Sequence, residues 1–216
     1  MRNQGSALLL SNLDPAEFQF EALIHAMSRE YGNDTPRIDK LYEIRARPEK
    51  IETEKDNFLF PYWSSREQLL HTDSSFLDNP FDLVWLYCVD EGERGHTINT
   101  LKHVDEIVSD LSNADVELLK HPVFEFECGP RPILSGDTNP SIRFHLPELN
   151  EHKRSAYGNT YQQALTNLCL SASSPTTEFT FQRGDCLIID NNRMLHGRSR
   201  VTDPARKVLR LRSDFV

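Results

Sequence analysis

The sequence predicts a single domain that is mainly β, with helices at its flanks. Short segments rich in β-branched and aromatic residues recur along the 216 residues, and Pro and Gly separate them at short intervals. No internal repeat or low-complexity linker interrupts this pattern. A content of 38% hydrophobic and 26% charged residues is ordinary for a globular chain able to bury a sizeable core. We therefore expect one domain over residues 1–216.

The predicted elements begin with a strand in SALLLSNL. A helix follows, with Asp14 at its N-cap, Pro15 at its first position and Gly32 at its end. Further strands are predicted in KLYEIRA, FDLVWLYCVD, PVFEFEC, SIRFHL, EFTFQ, DCLIID and KVLRLR. Apolar periodicity predicts two more helices, one near residues 99–112 and one in NTYQQALTNLCLSA. The charged segment 47–66 is long for a connection, which indicates a functional loop or lid.

Composition excludes several classes of partner. A formal net charge of −9 argues against binding to nucleic acid or to an anionic membrane. No apolar run has the length of a signal-peptide core or of a membrane span, so we expect a cytoplasmic protein. The 4 cysteines form no CxxC pair, which argues against a disulfide framework and a thiolate zinc site. They are predicted to be buried thiols.

The stretch LLHTDSSF contains the first candidate site. His71 and Asp73 are two positions apart, and on an extended segment such residues share a face and can converge on one ion. A second His-x-Asp, at His103 and Asp105, falls in the helix predicted over 99–112. Residues i and i+2 of a helix point about 200° apart, so that copy is predicted to be solvated surface.

The stretch RGDCLIIDNNRMLHGR contains the second half of the candidate site. His196 follows a short predicted strand and precedes a glycine. A ferrous ion that must hold a co-substrate and O2 needs two imidazoles and one carboxylate on one face, with three positions left open. His71, Asp73 and His196 would supply that set.

The next strand, in ARKVLRLR, alternates between charged and apolar residues. A period of two places Arg206, Val208, Arg210 and Arg212 on one face, which is predicted to point inward. Buried guanidinium groups need anions, and a dicarboxylate that chelates a metal at one end would offer its distal carboxylate to one of them. The two stretches and this strand together predict one reaction centre.

These motifs resemble the Fe(II)- and 2-oxoglutarate-dependent dioxygenases of the taurine dioxygenase and clavaminate synthase-like group. The matching segments, HTDSSF, GERGHT, GDCLIIDNNRMLHGR and RKVLR, occur in the family's order over about residues 66–212. The resemblance implies a double-stranded β-helix, or jelly roll, with His71, Asp73 and His196 as iron ligands. It also implies that Thr97 and Arg206 bind 2-oxoglutarate, and it leaves Arg210 as a tentative contact to the substrate.

The activity implied is hydroxylation of a small substrate, amino-acid-like or carboxylate-bearing, by O2 with release of succinate and CO2. Three alternatives stay open: a desaturase or cyclase with the same centre, a demethylase acting on proteins, and a non-catalytic jelly-roll binding module. Halogenases have a small residue where this sequence has Asp73, which argues against halogenation.

Overall fold

Two antiparallel sheets form the centre of the fold in the computed structural model, which describes residues 5–30, 35–45, 65–92, 97–146, 149 and 158–214. The strands are β1 (Ala7–Leu10), β2 (Tyr42–Ile44), β3 (Gln68–His71), β4 (Leu83–Asp90), β5 (Ile98–His103), β6 (Phe124–Phe126), β7 (Gly129–Arg131), β8 (Leu134–Ser135), β9 (Ser141–Ile142), β10 (Thr177–Thr180), β11 (Cys186–Asp190), β12 (Met194–Arg198) and β13 (Lys207–Ser213). The larger sheet has the strand order β1-β11-β4-β13-β2, and the smaller sheet has the order β10-β5-β12-β3. Two short hairpins, β6-β7 and β8-β9, lie outside them.

Helices cover the outer faces of both sheets. They are α1 (Phe20–Glu30), α2 (Val104–Asp110), α3 (Asn113–Leu119) and α4 (Asn159–Ala172). The first packs on the larger sheet, where Ile24 joins Trp85 and Tyr87 in one apolar cluster. The other three cover the smaller sheet, where Leu70 and Leu195 belong to a second cluster. The predicted fold class, mainly β with flanking helices, is confirmed.

Part of the space between the sheets is filled by an apolar cluster. Side chains that alternate along β4 and β11 point into it, including Val84, Leu187 and Ile189, and they pack against Leu101 of the facing sheet. Strand β13 alternates in the same way, since Leu211 joins the cluster under α1 while Arg210 points between the sheets. The predicted alternation of β13 is confirmed.

Two predicted helices differ from the structure. Residues 98–103 form a strand, β5, because its two edges are hydrogen-bonded to β10 and β12, and the helix begins only at Val104. The first helix begins at Phe20 rather than after Asp14, whose side chain instead accepts a hydrogen bond from Ala16 N in a turn. That turn lets Phe18 stack on Tyr87, with ring centroids 4.2 Å apart. By contrast, the helix predicted in NTYQQALTNLCLSA has the bounds of α4.

The cysteines are only partly as predicted. Cys88 and Cys186 are buried, whereas Cys128 and Cys169 are half-buried, and none forms a disulfide. No helix in the described part of the chain has both the length and the apolar character needed to cross a membrane. The predicted loop or lid at 47–66 lies outside the described residues except for 65 and 66, and the predicted helix end at Gly32 also lies outside them.

Candidate metal centre

The three predicted ligands converge between the sheets. His71 ends β3, Asp73 follows in the adjoining turn, and His196 lies within β12, directly paired with His71. His196 follows the predicted strand, β11, and itself lies inside a second strand, β12. All three side chains are buried, and their ligand atoms lie within 4.8 Å of one another. A His-Asp-His set of this kind is the facial arrangement that suits a ferrous ion.

The protonation states at this cluster suit metal binding. Burial tends to raise the pKa of Asp73, but the Arg210 guanidinium and the adjacent His196 and His71 imidazoles hold that pKa well below its usual range. Burial lowers the pKa of His196, and the neighbouring His71 lowers it further. At neutral pH the site therefore contains a carboxylate and a neutral His196 imidazole, the forms that donate electron pairs to a metal.

Backbone groups orient the two imidazoles. The Nδ1–H of His71 donates to Leu69 O at 2.8 Å, so its Nε2 is directed toward Asp73. On β12, Gly197 follows His196 at a point of close contact between strands. A Cβ at Gly197 would lie 2.6 Å from Gln68 O, so a larger residue would push β12 away from β3. This glycine lets the two histidines approach each other, with ring centroids 4.5 Å apart.

The cluster opens into a cavity that is partly open to solvent. Both sheets contribute to its walls, and the described residues that line it include four arginines and one acidic side chain, Asp73. Its lining residues include Ile44, Gln68, Ser74, Phe76, Leu86, Asn99, His145, Phe181, Arg198, Arg206, Val208, Arg210 and Arg212. The cavity therefore has the concave form and the positive charge expected of a site for a small anion.

Arg206 is the best candidate for an anion contact. Its side chain is buried, and its only hydrogen bond among the described residues is a 3.4 Å contact from Nη2 to Asn99 Oδ1. Burial lowers the pKa of Arg206, and burial together with repulsion from Arg206 lowers the pKa of Arg198 to about 10. Two mutually repelling cations at one end of a cavity favour the binding of a carboxylate there.

Thr97 lies outside the cavity lining. It precedes β5 and is half-buried, whereas Asn99, two residues later on the same face of the strand, lines the cavity. The predicted hydroxyl contact from Thr97 to 2-oxoglutarate stays a prediction. Asn99 was missed by the sequence analysis because residues 99–112 were assigned to a helix, on which period-two alternation has no meaning.

The other two cavity arginines contact acidic side chains. Arg210 Nη1 donates to Asp73 Oδ2 at 2.6 Å, so this guanidinium contacts a predicted metal ligand rather than standing apart from the centre. Arg212 Nε donates to Asp39 Oδ2 at 2.9 Å, and Arg212 also contacts the Ser74 hydroxyl. The predicted role of Arg210 in substrate contact stays a prediction.

Further residues near the centre were missed by the sequence analysis. His145 lines the cavity, and its ring centroid is 4.8 Å from that of His71. Asn191 hydrogen-bonds to the backbone of Asp73 at both its N–H and its carbonyl. Neither carried a sequence signal beyond its residue type, because the contacts are long-range. Phe76 also lines the cavity.

Comparisons with known proteins agree with this architecture. The family model "Taurine catabolism dioxygenase TauD, TfdA family" matches residues 119–212. No curated protein matches the chain in sequence. A crystal structure of asparagine oxygenase in complex with Fe(II), 3-hydroxyasparagine and succinate superposes with a TM-score of 0.78 at 18% identity, covering 99% of this chain and 76% of that one.

A second solved structure is similar over the same extent. The non-heme iron oxygenase OrfP in complex with Fe and alpha-ketoglutaric acid has a TM-score of 0.71 at 17% identity, covering 100% of this chain and 77% of that one. The resemblance predicted from the sequence is thus confirmed: the chain has the fold of these non-haem iron oxygenases, and its residues 119–212 match the TauD/TfdA family model.

Proposed function

We propose that the chain is an Fe(II)- and 2-oxoglutarate-dependent oxygenase that hydroxylates a small substrate, amino-acid-like or carboxylate-bearing. The observation that carries the proposal is the buried His71, Asp73 and His196 cluster in a cavity lined by arginines. In the balanced reaction, one atom of O2 enters the substrate as hydroxyl and the other enters succinate, while 2-oxoglutarate loses CO2. The iron, when bound, supplies the activation of O2 for this oxidation.

The side chains fit such a metal ion. The Nε2 atoms of His71 and His196 lie 3.5 and 3.6 Å from Asp73 Oδ1, so three donor atoms face one point. Two nitrogens and one carboxylate oxygen are the donor set preferred by non-haem ferrous iron. The protein would thus occupy one face of the ion, and the opposite face, toward the cavity, would stay open to 2-oxoglutarate, O2 and substrate.

The remaining cavity residues would bind the organic co-substrate. Arg206 would pair with the distal carboxylate of 2-oxoglutarate, since its buried cation contacts no carboxylate among the residues described. Asn99 would hold the Arg206 guanidinium in place. Thr97 would add a hydroxyl donor, as the sequence predicts.

Two observations support an amino-acid-like or carboxylate-bearing substrate: the ligands bound in similar solved structures and the arginines that line the cavity. The asparagine oxygenase structure holds 3-hydroxyasparagine, and another OrfP structure, with a TM-score of 0.71 at 18% identity, holds (3S)-hydroxy-L-Arg. Amino acids carry a carboxylate, and the present cavity is rich in arginine. A cytoplasmic location, a single domain over 1–216 and the absence of a nucleic-acid partner stay predictions that rest on composition.

An anaerobic titration tests the proposal. Wild-type protein with Fe(II) and 2-oxoglutarate is expected to develop a weak visible charge-transfer band that neither component produces alone, and air should then release succinate slowly. Asp73→Ala should lose both signals. The matched control is His103→Gln, which alters the other His-x-Asp copy, outside the cavity, and should keep both. A folded wild-type protein with a flat spectrum would refute the proposal.

A further inference from the structure

The two carboxylate oxygens of Asp73 face different partners. Oδ1 lies 3.5 Å from His71 Nε2 and 3.6 Å from His196 Nε2, at the point where the ligand atoms converge. Oδ2 points the other way and accepts a hydrogen bond of 2.6 Å from Arg210 Nη1. One carboxylate oxygen therefore faces the candidate metal position, and the other faces the Arg210 guanidinium.

The backbone of Asp73 is held in place independently of its carboxylate. Its N–H donates to Asn191 Oδ1 at 2.8 Å, and its carbonyl accepts from Asn191 Nδ2 at 2.9 Å. The same amide donates to Phe81 O at 2.8 Å, which ties Asn191 to a third segment. Ser74, the next residue, has a φ of 62°, so the chain turns sharply after Asp73. The backbone position of Asp73 is thus determined by the protein alone.

The guanidinium of Arg210 is also held in place before any ligand binds. Its strand β13 is paired on both edges, with Arg210 opposite Leu86 of β4 and Tyr42 of β2. The Tyr42 ring lies 5.0 Å from the guanidinium carbon, and the Arg210 side chain is 7% exposed. Because water has little access to the pair, its charge-assisted hydrogen bond is strong.

We propose that Arg210 is a positioning residue that holds Asp73 Oδ2 away from the metal, so that the carboxylate binds through Oδ1 alone, with Asn191 fixing the backbone. The inference rests on the proposed function for the metal site itself. A carboxylate can bind a cation through one oxygen or two. Binding through two would occupy one of the three positions that 2-oxoglutarate and O2 require.

This role differs from the substrate contact predicted for Arg210 from the sequence. A residue that only binds substrate would not affect 2-oxoglutarate consumption in the absence of substrate. A residue that keeps a coordination position open affects that uncoupled reaction directly. The two roles are therefore separated by measurements that need no knowledge of the substrate.

The test compares Arg210→Leu with wild type and with a matched control. The control is Arg193→Gln, which removes another arginine–aspartate pair. Arg193 Nη2 donates to the two carboxylate oxygens of Asp105 at 3.0 and 3.1 Å, and this pair lies outside the cavity. Infrared difference spectra of Fe(II)-loaded minus metal-free protein, labelled with ¹³C-aspartate, report how the carboxylate binds. The separation of its two stretching bands is wide for binding through one oxygen and narrow for binding through two.

We expect a wide separation in wild type and in the control, and a narrow one in Arg210→Leu. Uncoupled succinate formation should fall about ten- to a hundredfold in Arg210→Leu, the usual cost of removing a group that orients a metal ligand. The anaerobic charge-transfer band should still form. If Arg210→Leu does not fold, Arg210→Gln takes its place with the same expectations.

A wide separation together with unchanged uncoupled turnover in the variant overturns the inference and favours the substrate role. That failure is distinct from failure of the proposed function. In the first case wild type shows the Fe(II)- and 2-oxoglutarate-dependent band and only the variant behaves unexpectedly. In the second case wild type shows no band.

Discussion

Replacing Arg206 by leucine should have opposite effects on stability and on co-substrate binding. The Arg206 side chain is buried, with the residue 5% exposed, and its one hydrogen bond among the described residues is the 3.4 Å contact to Asn99. Burial lowers its pKa, which means that the folded protein does not fully compensate the charge. Without 2-oxoglutarate, Arg206→Leu is therefore expected to be at least as stable as wild type.

The effect on binding follows from the lost ion pair. A charge-assisted hydrogen-bonded pair contributes about 1.5 to 3 kcal/mol, or roughly ten- to a hundredfold in the Kd for 2-oxoglutarate. At a ligand concentration of 100 times the wild-type Kd, binding stabilises wild type by about 2.7 kcal/mol. A variant with hundredfold weaker binding would gain only about 0.4 kcal/mol at that concentration.

The assay is anaerobic denaturant unfolding with Fe(II), with and without 2-oxoglutarate, alongside titration of the charge-transfer band. Arg193→Leu, which breaks the pair with Asp105 outside the cavity, is the control for loss of an arginine. Its gain in stability from 2-oxoglutarate should equal that of wild type. An unchanged Kd in Arg206→Leu would refute the assignment. A loss of more than about 2 kcal/mol without ligand would instead show that Arg206 is a structural cation.

Three further predictions concern the centre and the core. In high chloride, the product from any accepted substrate should carry oxygen or a new double bond rather than chlorine, because Asp73 would fill the third protein ligand position; a chlorinated product detected by mass spectrometry would contradict this. Gly197→Ala should destabilise the fold by about 1 to 3 kcal/mol in urea and weaken Fe(II) binding, because the new Cβ would lie 2.6 Å from Gln68 O; wild-type stability and affinity would show that the strands separate easily. Burial raises the pKa of Cys88 and of Cys186 to about 12, so at pH 8 only the other two thiols should react rapidly with a thiol reagent, and all 4 should react after unfolding; rapid native reaction of four thiols would contradict it.

Several features could be predicted from the sequence because they depend on local pattern. The alternation in ARKVLRLR predicted the inward face of β13, since period two is a property of any strand. The helix over residues 159–172 was predicted with its observed bounds from apolar spacing alone. His71 and Asp73 were predicted to converge because two positions on an extended segment share a face. Composition and turn spacing were sufficient for the mainly β class.

The strand β5 shows where local pattern failed. Its residues continue the apolar spacing of α2, so they were predicted as helix, but hydrogen bonds to β10 and β12 on both edges favour the extended form. Pairing partners are distant in the sequence, and local propensity is a weak guide against them. The same error concealed Asn99, whose side chain faces the cavity only if the segment is a strand.

The sequence by itself determined the residue types of the centre, their order along the chain and the periodicity that points the arginines inward. Only the tertiary structure decided which groups touch. Arg210 and Asp73 are separated by 137 positions, and Asn191 and Asp73 by 118, and no local pattern relates either pair. Contacts of this kind form when two sheets pack face to face. Protein interiors are packed as closely as organic crystals, so the packing of the sheets determines which groups lie next to each buried charge. The sheets therefore decided that one oxygen of Asp73 faces the histidines and the other faces Arg210.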